Sequence, residues 1–127
     1  MNIQIDIDGT IDEAPGFFRW LTASLKRDGH KVIIVTSRTD SPETRTLTTK
    51  ELKDWGITYD KLILSPETDK LDPKRLPKDL DWAHKLFIFK VITAQDDDVD
   101  ILFDDCSITA SLFKRYLPQV KIFRFLK

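Results

Sequence analysis

Short apolar runs alternate with helical stretches along the chain, and this alternation restricts the fold more than any other feature of the sequence. The run "KVIIVT" (31–36) has the apolar and β-branched content of a strand that is buried on both faces. The stretches between such runs have apolar residues at helical spacing. We predict five strands, around Ile3, Ile5 and Ile7 and at 31–36, 60–65, 99–105 and 120–125, and four helices, at 14–29, 41–56, 82–95 and 107–117.

Strands that are joined by single helices form right-handed crossovers, and such connections place neighbouring strands parallel. We therefore predict an α/β fold, a three-layer Rossmann-like domain with a mostly parallel five-stranded sheet flanked by helices. A chain of 127 residues can bury one core, so residues 1–127 are expected to form a single domain. Residues 66–81 carry three prolines and many charges, which predicts an irregular segment.

The composition excludes some classes of partner. Lysine and arginine number 20 against 21 acids, for a net charge of −1, which argues against a general nucleic-acid or membrane binder. One cysteine, Cys106, excludes an internal disulfide and fits a reducing compartment. The sequence has no signal-peptide pattern and no apolar run long enough for a membrane span, so we expect a cytoplasmic protein.

Polar residues follow three of the predicted strands, at the edge of the sheet where ligands bind in open α/β folds. They are Asp6 and Asp8, Thr36 and Ser37, and Asp104 and Asp105. Carboxylates about 4 Å apart repel each other by about 4 kcal/mol per pair at an effective dielectric constant near 20. A divalent cation relieves this repulsion, and Mg²⁺ prefers oxygen ligands. We therefore expect Mg²⁺ and, through its charge, an anionic substrate such as a phosphoester.

The motifs "DIDGTI" (6–11), "VIIVTSR" (32–38) and "DILFDD" (100–105), with a lysine-bearing helix before the last, resemble the haloacid dehalogenase (HAD) superfamily. The resemblance covers essentially the whole chain and has the four family motifs in order. It implies a phosphohydrolase in which Asp6 is the nucleophile and a metal ligand. Asp8 would be the general acid/base and would offer its backbone carbonyl to the metal.

The same resemblance implies roles for the later motifs. Thr36 would hydrogen-bond the transferring phosphoryl group, and Asp104 and Asp105 would hold Mg²⁺ directly or through water. The phosphoryl-binding lysine is either Lys90, which we favour, or Lys85, depending on where the third helix begins. The predicted substrate-binding residues are Gly9, Thr10, Ser37 and Arg38, although a solvent-facing role for Arg38 is an equal alternative.

The spacing of the strands leaves no room for the inserted cap domain that selects substrates in most phosphatases of this superfamily. The chain therefore resembles a minimal, capless member, with 66–81 as a candidate lid. An open site suits a large phosphoester, or a small substrate enclosed by a neighbouring subunit of a homo-oligomer. The alternatives are a catalytically idle domain of this type that binds phosphate or metal, and a receiver-type phosphoacceptor module. The order of the motifs argues against the receiver module.

Overall fold

The computed structural model describes residues 1–126, with Thr68 described by its backbone alone, and has nine regular elements around one sheet. All four strand pairings are parallel, and the strand order is β3-β2-β1-β4-β5. The predicted α/β fold with a parallel five-stranded sheet flanked by helices is confirmed. The elements are β1 Asn2–Ile5, α1 Pro15–Arg27, β2 Lys31–Thr39, α2 Pro42–Trp55, β3 Lys61–Ser65, α3 Ile88–Asp96, β4 Ile101–Asp104, α4 Ser107–Tyr116 and β5 Lys121–Arg124.

Two apolar clusters fill the space between the sheet and its helices, one on each face. In β2 the side chain of Ile34 joins the cluster under α1 and α2, whereas Ile33 joins the cluster under α3 and α4. Phe18 of α1 and Phe113 of α4 are completely buried in the two clusters. Because successive side chains of a strand point to opposite faces, an unbroken apolar run in the central strands serves both layers.

The third helix begins later than predicted. Residues 82–87 do not belong to it: Trp82–His84 form a single 3₁₀ turn, and α3 begins at Ile88. The carboxylate of Asp81 accepts a hydrogen bond from the Ala83 backbone N–H, a local cap that starts the separate turn. The apolar pattern misled the prediction because Trp82 and Leu86 are exposed and pack into no core.

Several boundaries at the functional edge of the sheet also differ from the prediction. β1 ends at Ile5, so Ile7 is buried in the turn that follows the strand. β2 continues to Thr39, and its register with β3 shifts between Val35 and Thr39. Irregular pairing of this kind re-aims side chains near the ends of strands. Thr36 therefore lies within β2, in the stretch where the regular pairing is interrupted.

The segment 66–81 is largely irregular, with 3₁₀ turns at Thr68–Lys70 and Pro73–Arg75. It is fastened to the layer of α3 and α4. Arg75 pairs with Asp96 of α3, and Asp79 pairs with Arg115 and Tyr116 of α4. Three leucines of the segment pack against the α3/α4 cluster, namely Leu71, Leu76 and Leu80. Within residues 1–126, each helix is too short or too polar to cross a membrane.

Candidate active site

The ends of β1 and β4 bring two aspartates of the predicted set, Asp6 and Asp104, together. The two strands are parallel neighbours, with Ile5 paired to Phe103, and the Asp6 backbone N–H donates to the Phe103 carbonyl at 2.9 Å. Asp6 and Asp104 therefore lie side by side where their strands end. Both are buried, which is unusual for carboxylates that have no positive partner.

Lys90 is the positive partner. It is 2% exposed, and its Nζ lies 3.0 Å from Oδ1 of Asp6 and 2.9 Å from Oδ2 of Asp104. The late start of α3 puts Lys90 in the first turn of the helix, facing the sheet edge. Lys85 lies elsewhere, with its Nζ 3.7 Å from the centre of the Trp82 ring. Of the two lysines that the sequence left open, the structure brings Lys90 to the aspartates.

Burial and charge shift the titration of this group. Burial raises the pKa of Asp6 to about 7, helped by the neighbouring Asp104, while Lys90 opposes the rise. Burial disfavours the charge on Lys90, but the carboxylates of Asp6 and Asp104 outweigh it and raise the pKa of Lys90. The ammonium group is thus held positive between two carboxylates.

Asp6, Asp104 and Asp105 can hold a metal ion. One carboxylate oxygen from each lies within 4.8 Å of the others. Three carboxylates and one ammonium leave two negative charges when all are ionised, which a divalent cation would balance. A donor set made of oxygens alone fits Mg²⁺. No side-chain oxygen of Asp8 belongs to this group, so any contribution of Asp8 to the metal comes from its backbone.

Gly9 makes room for the third carboxylate. Its φ is +84°, a left-handed conformation that side chains rarely adopt, and a Cβ there would overlap the carboxylate of Asp105. Its backbone N–H donates to Oδ1 of Asp12 at 2.8 Å, which fixes the turn after β1. Gly9 thus leaves space for the carboxylate of Asp105, and substrate binding by Gly9 stays a prediction.

Asp8 is exposed and paired with Arg38. Nε and Nη2 of Arg38 lie 2.9 and 2.8 Å from the two oxygens of Asp8, a bidentate ion pair. This hydrogen bonding outweighs partial burial and lowers the pKa of Asp8. Asp8 is therefore held ionised, whereas a general acid must carry a proton when it acts.

Two residues that the sequence analysis missed also hold Arg38. Its guanidinium lies 3.1 Å from the hydroxyl of Thr48 and 3.2 Å from Oε2 of Glu51, both on α2. The solvent-facing alternative for Arg38 is wrong, because its side chain is 18% exposed. The only signal in the sequence was the spacing of Thr48 and Glu51, which places both on one face of a helix. Nothing in that spacing indicated the end of β2 as their partner.

The remaining predicted residues lie in three different settings. Thr36 is completely buried, and its hydroxyl accepts from the Arg38 backbone N–H at 3.3 Å. Ser37 is exposed and lines a cleft of about 330 Å³, together with Thr39, Ser65–Glu67, Leu86 and Phe87. Thr10 is completely buried, and within the described part of the chain its hydroxyl has no hydrogen-bond partner. Substrate binding by Thr10 and by Thr36 stays a prediction.

Comparisons with known proteins show the fold. No family model and no curated protein matches the chain. Two solved structures of a Pnkp1/Rnl/Hen1 RNA repair complex contain chains that are 19% identical, with TM-scores of 0.67 and 0.64. The match covers 97% of this chain but only 45% and 41% of those chains. A universal stress protein solved with cAMP has a TM-score of 0.47 and 16% identity, over 99% of this chain and 98% of that one.

Proposed function

We propose that this chain is a Mg²⁺-dependent phosphomonoester hydrolase of the HAD type, acting through an aspartyl-phosphate on Asp6. One observation carries the proposal: a buried lysine and three aspartates from three separate stretches of sequence converge at the carboxyl edge of a parallel sheet. Such an arrangement costs folding free energy, because buried charges are expensive unless something compensates them. A metal ion and a phosphoryl group are the ligands that this charge distribution fits.

The residues divide the reaction into two steps. In the first, a carboxylate oxygen of Asp6 attacks phosphorus, and the bond between phosphorus and the ester oxygen breaks. Asp8 gives its proton to the departing oxygen. In the second, water attacks the phosphorus of the aspartyl-phosphate, Asp8 takes the proton of that water, and inorganic phosphate leaves with Asp6 restored.

The other residues hold the reacting groups in place. Lys90 donates to Asp6, which orients the nucleophile, and its charge stabilises the negative charge that builds up on the phosphoryl oxygens. The hydroxyl of Thr36 would donate to a phosphoryl oxygen. Asp6, Asp104 and Asp105 would hold Mg²⁺, which neutralises phosphoryl charge when bound.

Asp8 acts as an acid only when Arg38 has released it, because the ion pair keeps its carboxyl ionised. A phosphate group of the substrate is a natural competitor for the Arg38 guanidinium. This ion pair is also the observation that favours the second candidate function, a catalytically idle domain that binds phosphate and metal. In that case Asp8 would stay paired with Arg38 whatever was bound.

For the substrate we propose only a class, the phosphomonoesters, and no single compound. The absence of a cap-sized insertion favours hydrolysis over transfer to another acceptor, since transfer requires the exclusion of water. The similarity in fold to chains of an RNA repair complex adds a phosphorylated nucleic-acid end to the substrates to be tested. A cytoplasmic location and a homo-oligomer that encloses the open site belong to the same proposal.

The test is release of phosphate from p-nitrophenyl phosphate, with and without Mg²⁺. Wild type, Asp6→Asn and the control Asp54→Asn, an exposed aspartate on α2, are compared. We expect Mg²⁺-dependent turnover in wild type and in Asp54→Asn, and none in Asp6→Asn. Turnover that persists in Asp6→Asn would exclude the aspartyl-phosphate. Mg²⁺ binding without turnover on any phosphomonoester would favour the idle domain.

A further inference from the structure

An aromatic cleft lies between the start of α1 and the ends of β4 and β5. Phe17 of α1, Phe103 of β4, and Phe123 and Phe125 around the end of β5 line it together with Arg124, and its volume is about 210 Å³. Phe123 is 53% exposed and Phe17 is 46% exposed, high values for phenylalanine. Large apolar side chains grouped at the surface mark a binding site more often than rings that are exposed singly.

The rings of the cleft are held in place. Phe103 and Phe123 are directly paired across β4 and β5, and their rings stack with centroids 5.1 Å apart and an angle of 16°. Phe103 and Phe125 also pack against the completely buried Phe18, at 6.0 and 5.8 Å. The cleft therefore contains aromatic rings that are oriented by contacts within the chain.

The cleft and the acidic cluster meet at the ends of β4 and β5. Phe103 directly precedes Asp104 and lies two residues before Asp105, a span of roughly 7 Å along an extended strand. Nη2 of Arg124 lies 3.2 Å from the backbone carbonyl oxygen of Asp105, which ties the end of β5 to the acidic cluster. Phe103 is also the backbone neighbour of Asp6, whose N–H donates to the Phe103 carbonyl at 2.9 Å.

We propose that the aromatic cleft binds the nucleobase of a nucleotide whose phosphomonoester is hydrolysed at Asp6. This inference rests on the proposed function. A nucleobase is planar and stacks on phenylalanine whatever its sequence, and a neighbouring arginine adds to such contacts. The cleft is smaller than the roughly 300–1,000 Å³ of pockets for drug-sized ligands, which suits a single ring system. A sugar supplies a short linker to the phosphate.

The balanced charge of the chain limits the length of the nucleic acid. Affinity for a polymer comes mainly from lysine and arginine contacts to many phosphates, and the net charge here is −1. We therefore expect recognition of one terminal base, in a mononucleotide or at the end of a short strand. Both share the same chemistry, a nucleobase joined through one sugar to a phosphomonoester.

The experiment compares substrates that differ only in the base. Phosphate release is measured for adenosine monophosphate, as its 5′ and 3′ isomers, and for ribose 5-phosphate, using wild type, Phe123→Ala, Phe123→Trp and the control Leu47→Ala. Leu47 is an exposed apolar residue on α2, 57% exposed. We expect Phe123→Ala to raise KM about tenfold for adenosine monophosphate alone, since stacking of one base is worth that much. Phe123→Trp should keep wild-type KM.

The outcomes distinguish a strand end from a free nucleotide as the source of the base. They also distinguish failure of this inference from failure of the proposed function. A lower KM for a phosphorylated trinucleotide than for the mononucleotide would assign the cleft to a strand end, and the reverse to free nucleotides. Calorimetric binding of adenosine monophosphate, weakened by Phe123→Ala, would uphold the cleft even if no substrate turned over and the proposed function failed. The inference is overturned if Phe123→Ala changes neither KM nor binding. It is also overturned if the variant changes the sedimentation coefficient and affects both substrates equally, which would make the cleft a contact between copies of this chain.

Discussion

At the scale of single residues, Lys90 does most to hold the candidate site together. It lies between Asp6 and Asp104 and is almost completely buried. Without it, two buried carboxylates would face each other with no positive partner. The same side chain thus supports both the fold at this edge of the sheet and the charge balance that the chemistry needs.

The first prediction concerns the loss of the positive charge of Lys90. We expect Lys90→Met to lower the free energy of unfolding by about 3–5 kcal/mol without metal, because breaking a buried ion pair strands the remaining charges. Turnover should fall by about 10²–10³, the usual effect of losing one electrostatic contact to a transition state. Urea unfolding measures the free energy of unfolding, and phosphate release measures turnover. The matched control is Lys85→Met, whose ammonium lies over Trp82; an equal loss there would refute the assignment.

The second prediction concerns the pH dependence of stability without metal. Burial raises the pKa of Asp6 from its ordinary value of 3.8 to about 7 in the folded state, so between these pH values the folded state binds more protons. Its contribution to the free energy of unfolding therefore falls as pH rises from about 4 to about 7 and is constant above. Lys90 stays charged throughout this window. Thermal unfolding should show that Asp6→Asn becomes more stable relative to wild type over this range; a constant difference would contradict the account.

The third prediction tests the close approach of Gly9 to Asp105. Gly9→Ala should weaken Mg²⁺ binding about tenfold or more, because the new Cβ overlaps the carboxylate of Asp105. Gly29→Ala is the matched control: Gly29 has the same φ of +84° but open space around the position. The control shows the cost of backbone strain alone, about 1–2 kcal/mol. Calorimetric titration measures the affinity of Gly9→Ala and of Gly29→Ala for Mg²⁺. Equal affinity in both variants would be evidence against the proposed metal site.

At the scale of elements, the sequence predicted the strands and helices well because their periodicity is a local property. The run 31–36 is apolar on every residue but Lys31 and Thr36, and it forms the core of β2 as expected. The start of α3 was missed because Trp82 and Leu86 repeat at helical spacing yet face solvent. Exposure depends on what the rest of the chain leaves uncovered, and periodicity carries no information about that.

The same distinction applies to the candidate site. The sequence placed four carboxylates together, those of Asp6, Asp8, Asp104 and Asp105, because parallel strands end at one edge of a sheet. The structure brings three of them, Asp6, Asp104 and Asp105, together with Lys90. The pairing of Asp8 with Arg38 could not be predicted, since it depends on where Thr48 and Glu51 of α2 hold the guanidinium.

The fourth prediction concerns the segment 66–81 as a lid. Asp79→Ala removes its contacts with Arg115 and Tyr116 on α4. We expect trypsin to cleave within the segment several-fold faster, because fewer contacts raise the population of open conformers. If the segment covers the substrate, KM should change as well. An unchanged KM, with Asp54→Ala as the control, would sink the lid hypothesis while leaving the active site untouched.

At the scale of the whole molecule, the fold alone does not determine the activity. Parallel α/β sheets serve many chemistries, and the similarity to chains of the RNA repair complex, at 19% identity, shows the fold alone. In this protein three carboxylates meet at one edge of the sheet. If Mg²⁺ binds there, the folded state gains stability with metal concentration, as any ligand that binds only the folded state provides.

The most direct test of the central claim is the detection of a phosphoryl group on Asp6. ³²P-labelled p-nitrophenyl phosphate is mixed with wild type, Asp8→Asn and Asp6→Asn in the presence of Mg²⁺, and the reaction is quenched in acid. Nitrophenolate is a good leaving group and departs without a general acid, whereas the attacking water needs Asp8 as its general base. The label should therefore accumulate in Asp8→Asn.

We expect that label to map to the peptide containing Asp6, to be released by hydroxylamine and to be absent from Asp6→Asn. Turnover by wild type with no label on Asp6 in either wild type or Asp8→Asn would contradict the account.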